Sequence, residues 1–168
     1  GDVQAAEDAL RMRLRMPPAP EGAFLLLTEI LIRESKHSEA AHLVNEHPDN
    51  PEIFIRLRDY FIGERMNGAA LDLISKSRFS DPGIAHINDS IRKQISGDLT
   101  GAIAACNNAL RFNTEDASAY NQLGRVLFNS GHPPQSQSAF EKALALKPGF
   151  AEAWHNLGHV LRAQNKLD

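Results

Sequence analysis

The chain repeats itself at a spacing of 34 residues. Gly97-Asp98, Gly131-His132 and Asn165-Lys166 open equivalent segments, Ala109-Leu110 matches Ala143-Leu144, Tyr120 matches Trp154, and Leu123-Gly124 matches Leu157-Gly158. A period of this length belongs to a helix–turn–helix unit that cannot bury its apolar face alone and does so by stacking on its neighbours. The expected fold is therefore an all-α, right-handed superhelical solenoid of antiparallel helix pairs. Function is expected on a long concave surface rather than in an enclosed pocket.

The clearest unit covers 117–150. Its first half sets Tyr120, Leu123, Gly124 and Leu127 on one helical stripe, and Gly131 punctuates it. Pro133-Pro134 then stand where a first helical turn tolerates proline, because N–H groups there have no intrahelical partner. The second half carries Ala139, Phe140, Ala143, Leu144 and Leu146 at helical spacing, and Lys147-Pro148-Gly149 ends it.

Tyr120-x-x-Leu123-Gly124-x-x-Leu127, followed by Phe140-x-x-Ala143 and Pro148, resembles a tetratricopeptide repeat. The segment Ala151-Glu152-Ala153-Trp154-His155-Asn156-Leu157-Gly158 is similar to that family's first helix. Ser136 stands where the family has alanine, and Asn165 where it has glycine.

Towards the N-terminus the match decays while the period survives. Ala102, Cys106 and Ala109 take packing positions, but in the preceding helix His86, Asp89 and Ser90 replace the aromatic, leucine and glycine. That helix, over 83–95, is expected to be distorted and to interrupt the groove, with His86 and Arg92 as candidate partners of Asp89. Phe54, Leu57 and Phe61 with Ala70, Leu71 and Ile74 form another pair, and Phe24, Leu27 and Leu31 with Ala40 and Val44 an earlier one, ending at Pro48. The expected organisation is a single repeat domain of ten helices: a lone helix over 1–16, repeats over about 21–48, 51–82, 83–116 and 117–150, and a half repeat over 151–168. Small packing residues fall at Ala6, Ala40, Ala70, Ala102 and Ser136. The shortened steps of 30 and 32 between Ala40, Ala70 and Ala102 predict clipped second helices or tighter turns. The end at Lys166-Leu167-Asp168, where a second helix should begin, reads as a cut from a longer chain.

Composition excludes several classes. The net charge of −3 supplies no global basic field for a nucleic-acid backbone. A single cysteine, Cys106, rules out a disulfide framework and a multi-cysteine metal site. No apolar run approaches the ~20 residues of a membrane span. Arg11, Arg13 and Arg15 interrupt the only early apolar stretch, so no signal-peptide core is read there and a cytoplasmic setting is expected. These arginines spread over more than half a helical turn, a solvated face balanced by Glu7 and Asp8.

No phosphate loop, nucleophile elbow or H-E-x-x-H motif is present, so neither catalysis nor a cofactor is expected. His155 and His159, four apart on one helix, could face a metal together, but a third ligand such as Glu152 would be required, and no metal site is assigned. Cys106 reads as a small hydrophobe at a packing position.

The resemblance implies that first helices line an inner groove. Its ligand-facing positions fall here on Ser118, Asn121, Gln122, Arg125 and Phe128, then on Glu152, His155, Asn156, His159 and Arg162. One such position gives Asn88, Gln122 and Asn156 at the full period. This amide series resembles the asparagine ladder in the repeat superhelix of O-linked N-acetylglucosamine transferases. Carboxamides pair with the main chain of an extended peptide whatever its sequence; equally, they can brace adjacent helices. Arg125 and Arg162 could hold a peptide carboxylate. The carboxylate clamp of chaperone-tail-binding members needs lysines that are missing at these positions, and Glu152 intrudes, which disfavours that role.

The expected function is a protein–protein or peptide interaction scaffold that binds an extended segment in the groove. The alternative is a substrate-presenting or regulatory module of a larger glycosyltransferase, sulfotransferase or 2-oxoglutarate oxygenase. Neither nucleic acid nor membrane is an expected partner, and the terminal face around Trp154 and Leu161 offers a surface for homodimerisation.

Overall fold

The computed structural model describes residues 2–15, 21–46, 51–77 and 80–164. Among them are ten α-helices and no strand: α1 (Asp2–Leu14), α2 (Glu21–Arg33), α3 (His37–Glu46), α4 (Pro51–Gly63), α5 (Asn67–Lys76), α6 (Pro82–Ser96), α7 (Leu99–Phe112), α8 (Ala117–Asn129), α9 (Pro133–Leu146) and α10 (Ala151–Gln164). Met16, Pro48 and residues 165–168, which the repeat assignment uses, lie outside the described residues. The helices divide into two compact units, Gly1–Phe79 with α1–α5 and Ser80–Asp168 with α6–α10.

One turn recurs four times. The N–H groups of Lys36, Met66, Asp98 and His132 donate to the carbonyls of Leu31, Phe61, Lys93 and Leu127 at 2.7–2.9 Å. The residue before each donates to a carbonyl three back at 3.0–3.2 Å, which completes a Schellman motif. That preceding residue is left-handed: Gly97 (φ 88°) and Gly131 (φ 78°) in the second unit, but Ser35 (φ 59°) and Arg65 (φ 58°) in the first. An L side chain pays roughly 1–2 kcal/mol in this region. Five residues beyond each left-handed residue lies a fully buried small one: Ala40, Ala70, Ala102 and Ser136. Ser136 keeps its place by donating its hydroxyl to the Gly124 carbonyl at 2.7 Å. The irregular steps have the expected cause, since α3 and α5 span 10 residues against 14 for α7 and α9.

Ala6 does not join this series. It is exposed, and its neighbour Glu7 is fully buried instead. Arg11 Nη1 lies 2.6 Å and Lys36 Nζ 2.9 Å from the Glu7 carboxylate, the pairing a buried charge requires. Arg11 also reaches Glu39 at 2.6 Å, so it ties α1 to α3 instead of standing in solvent.

Within a pair, the closest helix approach explains the repeat's glycine. A Cβ added at Gly124 would meet the Phe140 ring at 2.7–2.8 Å. The same two positions one period earlier are Ser90 and Cys106, whose Oγ and Sγ stand 3.0 Å apart. A larger residue on one helix and a smaller one on the other exchange volume across the same contact. In the first unit this position is Arg58, which is 1% exposed. Its Nε donates to Asp59 Oδ1 at 2.8 Å and its guanidinium lies over the Phe54 ring, 5.9 Å from the centroid.

The expected distortion of the helix over 83–95 is not found. α6 is regular and spans 15 residues. The Asp81 carboxylate accepts from the Ile84 N–H, Pro82 opens the first turn and Gly97 closes the last. Ile87 and Ile91, one turn apart, supply the buried stripe that Asp89 could not. Asp89 is half-buried and pairs with Lys93 at 2.7 Å. The His86 ring stacks on Phe112 at 5.4 Å, doing an aromatic's work. Elsewhere the core follows the sequence, with shifts of one or two positions: Leu73 is buried where Leu71 is only half so, and in α8 Ala119 and Val126 lie deeper than Tyr120, Leu123 and Leu127.

Three substitutions test this account by chemical denaturation. Gly124→Ala should destabilise the chain by about 1–3 kcal/mol through overpacking on Phe140. Gly158→Ala, where an added Cβ meets nothing within 4 Å, should instead stabilise α10 by roughly 0.5–1 kcal/mol. Arg65→Gly should stabilise the first unit by about 1 kcal/mol, because it relieves a left-handed side chain; a loss of stability there would refute the turn assignment.

Candidate functional site

The first helices of the second unit, α6, α8 and α10, are linked through side-chain amides. Gln122 Nε2 on α8 donates to Gln94 Oε1 on α6 at 2.9 Å, with a longer contact to Ser90 Oγ at 3.4 Å. Asn156 Nδ2 on α10 donates to Asn121 Oδ1 on α8 at 3.1 Å. Asn88, Asn121 and Gln122 are buried, and Asn156 is half-buried. The period-spaced residues Gln122 and Asn156 thus enter separate links, to Gln94 and to Asn121. Of their partners, Gln94 stands one period before Phe128, at a ligand-facing position that the sequence reading left out in the weaker repeat, and Ser90 stands where the repeat has glycine.

The remaining predicted residues collect on α8 and α10. Arg125 Nη1 lies 3.5 Å from Glu152 Oε1, with both side chains largely covered. Further along α10, Arg162 Nη2 stands 3.0 Å from His159 Nδ1, and His159 Nε2 stands 3.0 Å from His155 Nε2. A guanidinium can only donate, so His159 Nδ1 accepts and its proton sits on Nε2. That proton goes to His155 Nε2, which leaves the His155 proton on Nδ1. All three side chains are exposed. In this arrangement His159 Nε2 is a donor and cannot ligate a metal. Among the described residues no group of three or more His, Cys, Asp or Glu is placed to hold a metal ion. At the end of the unit Trp154 and Leu161 are 56% and 40% exposed, and the Trp154 indole donates to the Pro148 carbonyl at 2.9 Å. No helix among the described residues is long and apolar enough to cross a membrane.

Family models described as tetratricopeptide repeat match residues 117–150 and 139–168. The peroxisomal targeting signal receptor of Saccharomyces cerevisiae is 38% identical over 60 residues, covering 36% of this chain and 10% of the receptor. The corresponding receptor of Kluyveromyces lactis is 45% identical over 49 residues, 29% of this chain and 9% of that protein. The chain thus spans about a tenth of the length of these relatives. Cellulose synthase operon protein C of Komagataeibacter xylinus is 32% identical over 74 residues, 44% of this chain and 6% of that protein. Among solved structures, a thermophilic TPR protein of Thermus thermophilus superposes with a TM-score of 0.61 at 16% identity, covering 95% of this chain and 90% of its own. The first TPR domain of the human RPAP3 protein gives 0.51 at 20% identity, covering 71% and 95%. These likenesses support the fold.

Cys106 is fully buried against Ser90, and burial pushes its thiol up to about 11. The native thiol should therefore resist Ellman's reagent at pH 8 and react as one equivalent on unfolding. The unfolded chain ionises this thiol from about 9, the folded chain only near 11. Its contribution is thus fully present below pH 9 and lost as pH rises to 11, by up to about 2–3 kcal/mol. Denaturant midpoints across that window should fall for the wild type and stay flatter for Cys106→Ala.

Proposed function

We propose that this chain, whose residues 117–168 match tetratricopeptide repeat models, is a non-catalytic interaction scaffold holding an extended protein or peptide segment along α6, α8 and α10. The observation that carries this reading is the division of labour among the polar residues of those helices. Asn121 and Gln122, buried and bonded to neighbouring helices, fix the spacing of the first helices, and Asn88 on α6 is buried as well. Arg125, Glu152, His155, Asn156, His159 and Arg162 then form the face offered to the partner. Half-buried Asn156 offers amide chemistry to a peptide backbone. Arg162 and His155 supply donors at exposed positions, where hydrogen bonds to charged or carbonyl oxygens add selectivity. The Arg125–Glu152 contact is long, at 3.5 Å, so a partner's carboxylate can form a shorter charge-assisted pair with Arg125. The sequence relatives add support, since one of them is named as a receptor for a targeting signal.

The test is a selection from a random peptide library on the purified chain, followed by titration of the best peptide. His155→Ala with Arg162→Ala should weaken binding about tenfold or more with far-UV circular dichroism unchanged. Gln122→Ala should chiefly lower the melting temperature, as expected of a brace. Peptides that bind both forms equally, or that shift amide resonances only on α7 and α9, would refute the assignment.

A further inference from the structure

A second polar site lies in the first unit, independent of the α8–α10 face. Between α2 and α4 is a cavity of about 550 Å³. This is the volume range of small-molecule sites, which combine an apolar lining with a few placed polar groups. Ile32, Leu57 and Tyr60 supply apolar wall. Thr28, 5% exposed, stands in the same wall, and its Oγ1 is buried without a hydrogen-bond partner among the described residues. A buried hydroxyl left unpaired costs stability unless something bonds to it. Thr28 occupies the position of Gly124 and Ser90 in the second unit; the Ser90 hydroxyl is bonded to Cys106, whereas that of Thr28 has no such partner among the described residues.

The charges lining the cavity narrow the ligand. Arg33, at the end of α2, and Arg56, on α4, bring two guanidiniums, and Glu29 brings one carboxylate. Arg33 makes no ion pair among the described residues, whereas Arg56 is also engaged within the protein. The excess is a single positive charge. A dianion would be held against Glu29, while a monoanion is balanced. We propose that this cavity binds a carboxylate carried on an apolar body: the body lies on Ile32, Leu57 and Tyr60, the carboxylate reaches Arg33 and Arg56, and the Thr28 hydroxyl donates to a ligand oxygen. The same chemistry comes from a free amphiphilic acid or from a glutamate beside an aromatic in an extended segment.

The probe is 4-phenylbutyrate, with 4-phenylbutyramide as its neutral counterpart, titrated into the full chain by ¹H–¹⁵N NMR. The acid should saturate with Kd on the order of a millimolar, shifting Thr28, Ile32 and Tyr60, and bind about tenfold more tightly than the amide. Arg33→Gln and Arg56→Gln should each weaken it about five- to tenfold. Thr28→Val should weaken it roughly threefold and raise the melting temperature by a few degrees, since an unpaired buried hydroxyl is removed. Acetyl-Ala-Glu-Phe-amide distinguishes the sources: tighter binding than the free acid assigns the site to a segment, weaker binding to a small acid. Equal affinity for acid and amide, shifts away from α2 and α4, indifference to both arginine substitutions, or no saturable binding overturns the proposal. None of these outcomes bears on the α8–α10 face.

Discussion

The architecture depends on one constraint: two helices must reverse through a turn short enough to bring their backbones together, and the side chains at that crossing must share a fixed volume. The Schellman turns at Ser35, Arg65, Gly97 and Gly131 satisfy the first half of it. Gly124 beneath Phe140, and Ser90 beside Cys106, satisfy the second by exchanging bulk between partners. Once turn and crossing are set, buried Ala40, Ala70, Ala102 and Ser136 follow at a constant offset, and the first helices are left to line up with one another.

That logic explains which parts of the chain were legible in its sequence. Turn glycines and the pattern of Tyr120, Leu123 and Gly124 announce the second unit, because each does there what the repeat asks of it. The first unit keeps the geometry with other residues: serine and arginine in left-handed turns, and a buried arginine where glycine is usual. Burial of Arg58 is stabilised by its neighbour Asp59 and by the Phe54 ring, and spacing alone carries no signal for such an arrangement. Ala6 misled for a similar reason, since the period marks a position and the ion pairs of Glu7 decide which residue turns inward. The α6 helix looked broken because its apolar stripe had moved to Ile87 and Ile91.

The candidate face rests on sequence spacing for its proposed membership, and that spacing carries no signal for its wiring. Sequence spacing finds amides one period apart, yet hydrogen bonds join residues on neighbouring helices whose offsets differ from the period: Gln94 with Gln122, and Asn121 with Asn156. Long side chains reach sideways as well as along the repeat axis. The helices are thereby held at a spacing set by carboxamide length.

The Arg162–His159–His155 chain has a direction. His159 accepts from Arg162 and gives its own proton to His155, so both ring lone pairs along the line are already taken. The row therefore ends on the Nδ1–H of His155, a donor, and what it can hold at that end is a carbonyl or carboxylate oxygen rather than a cation.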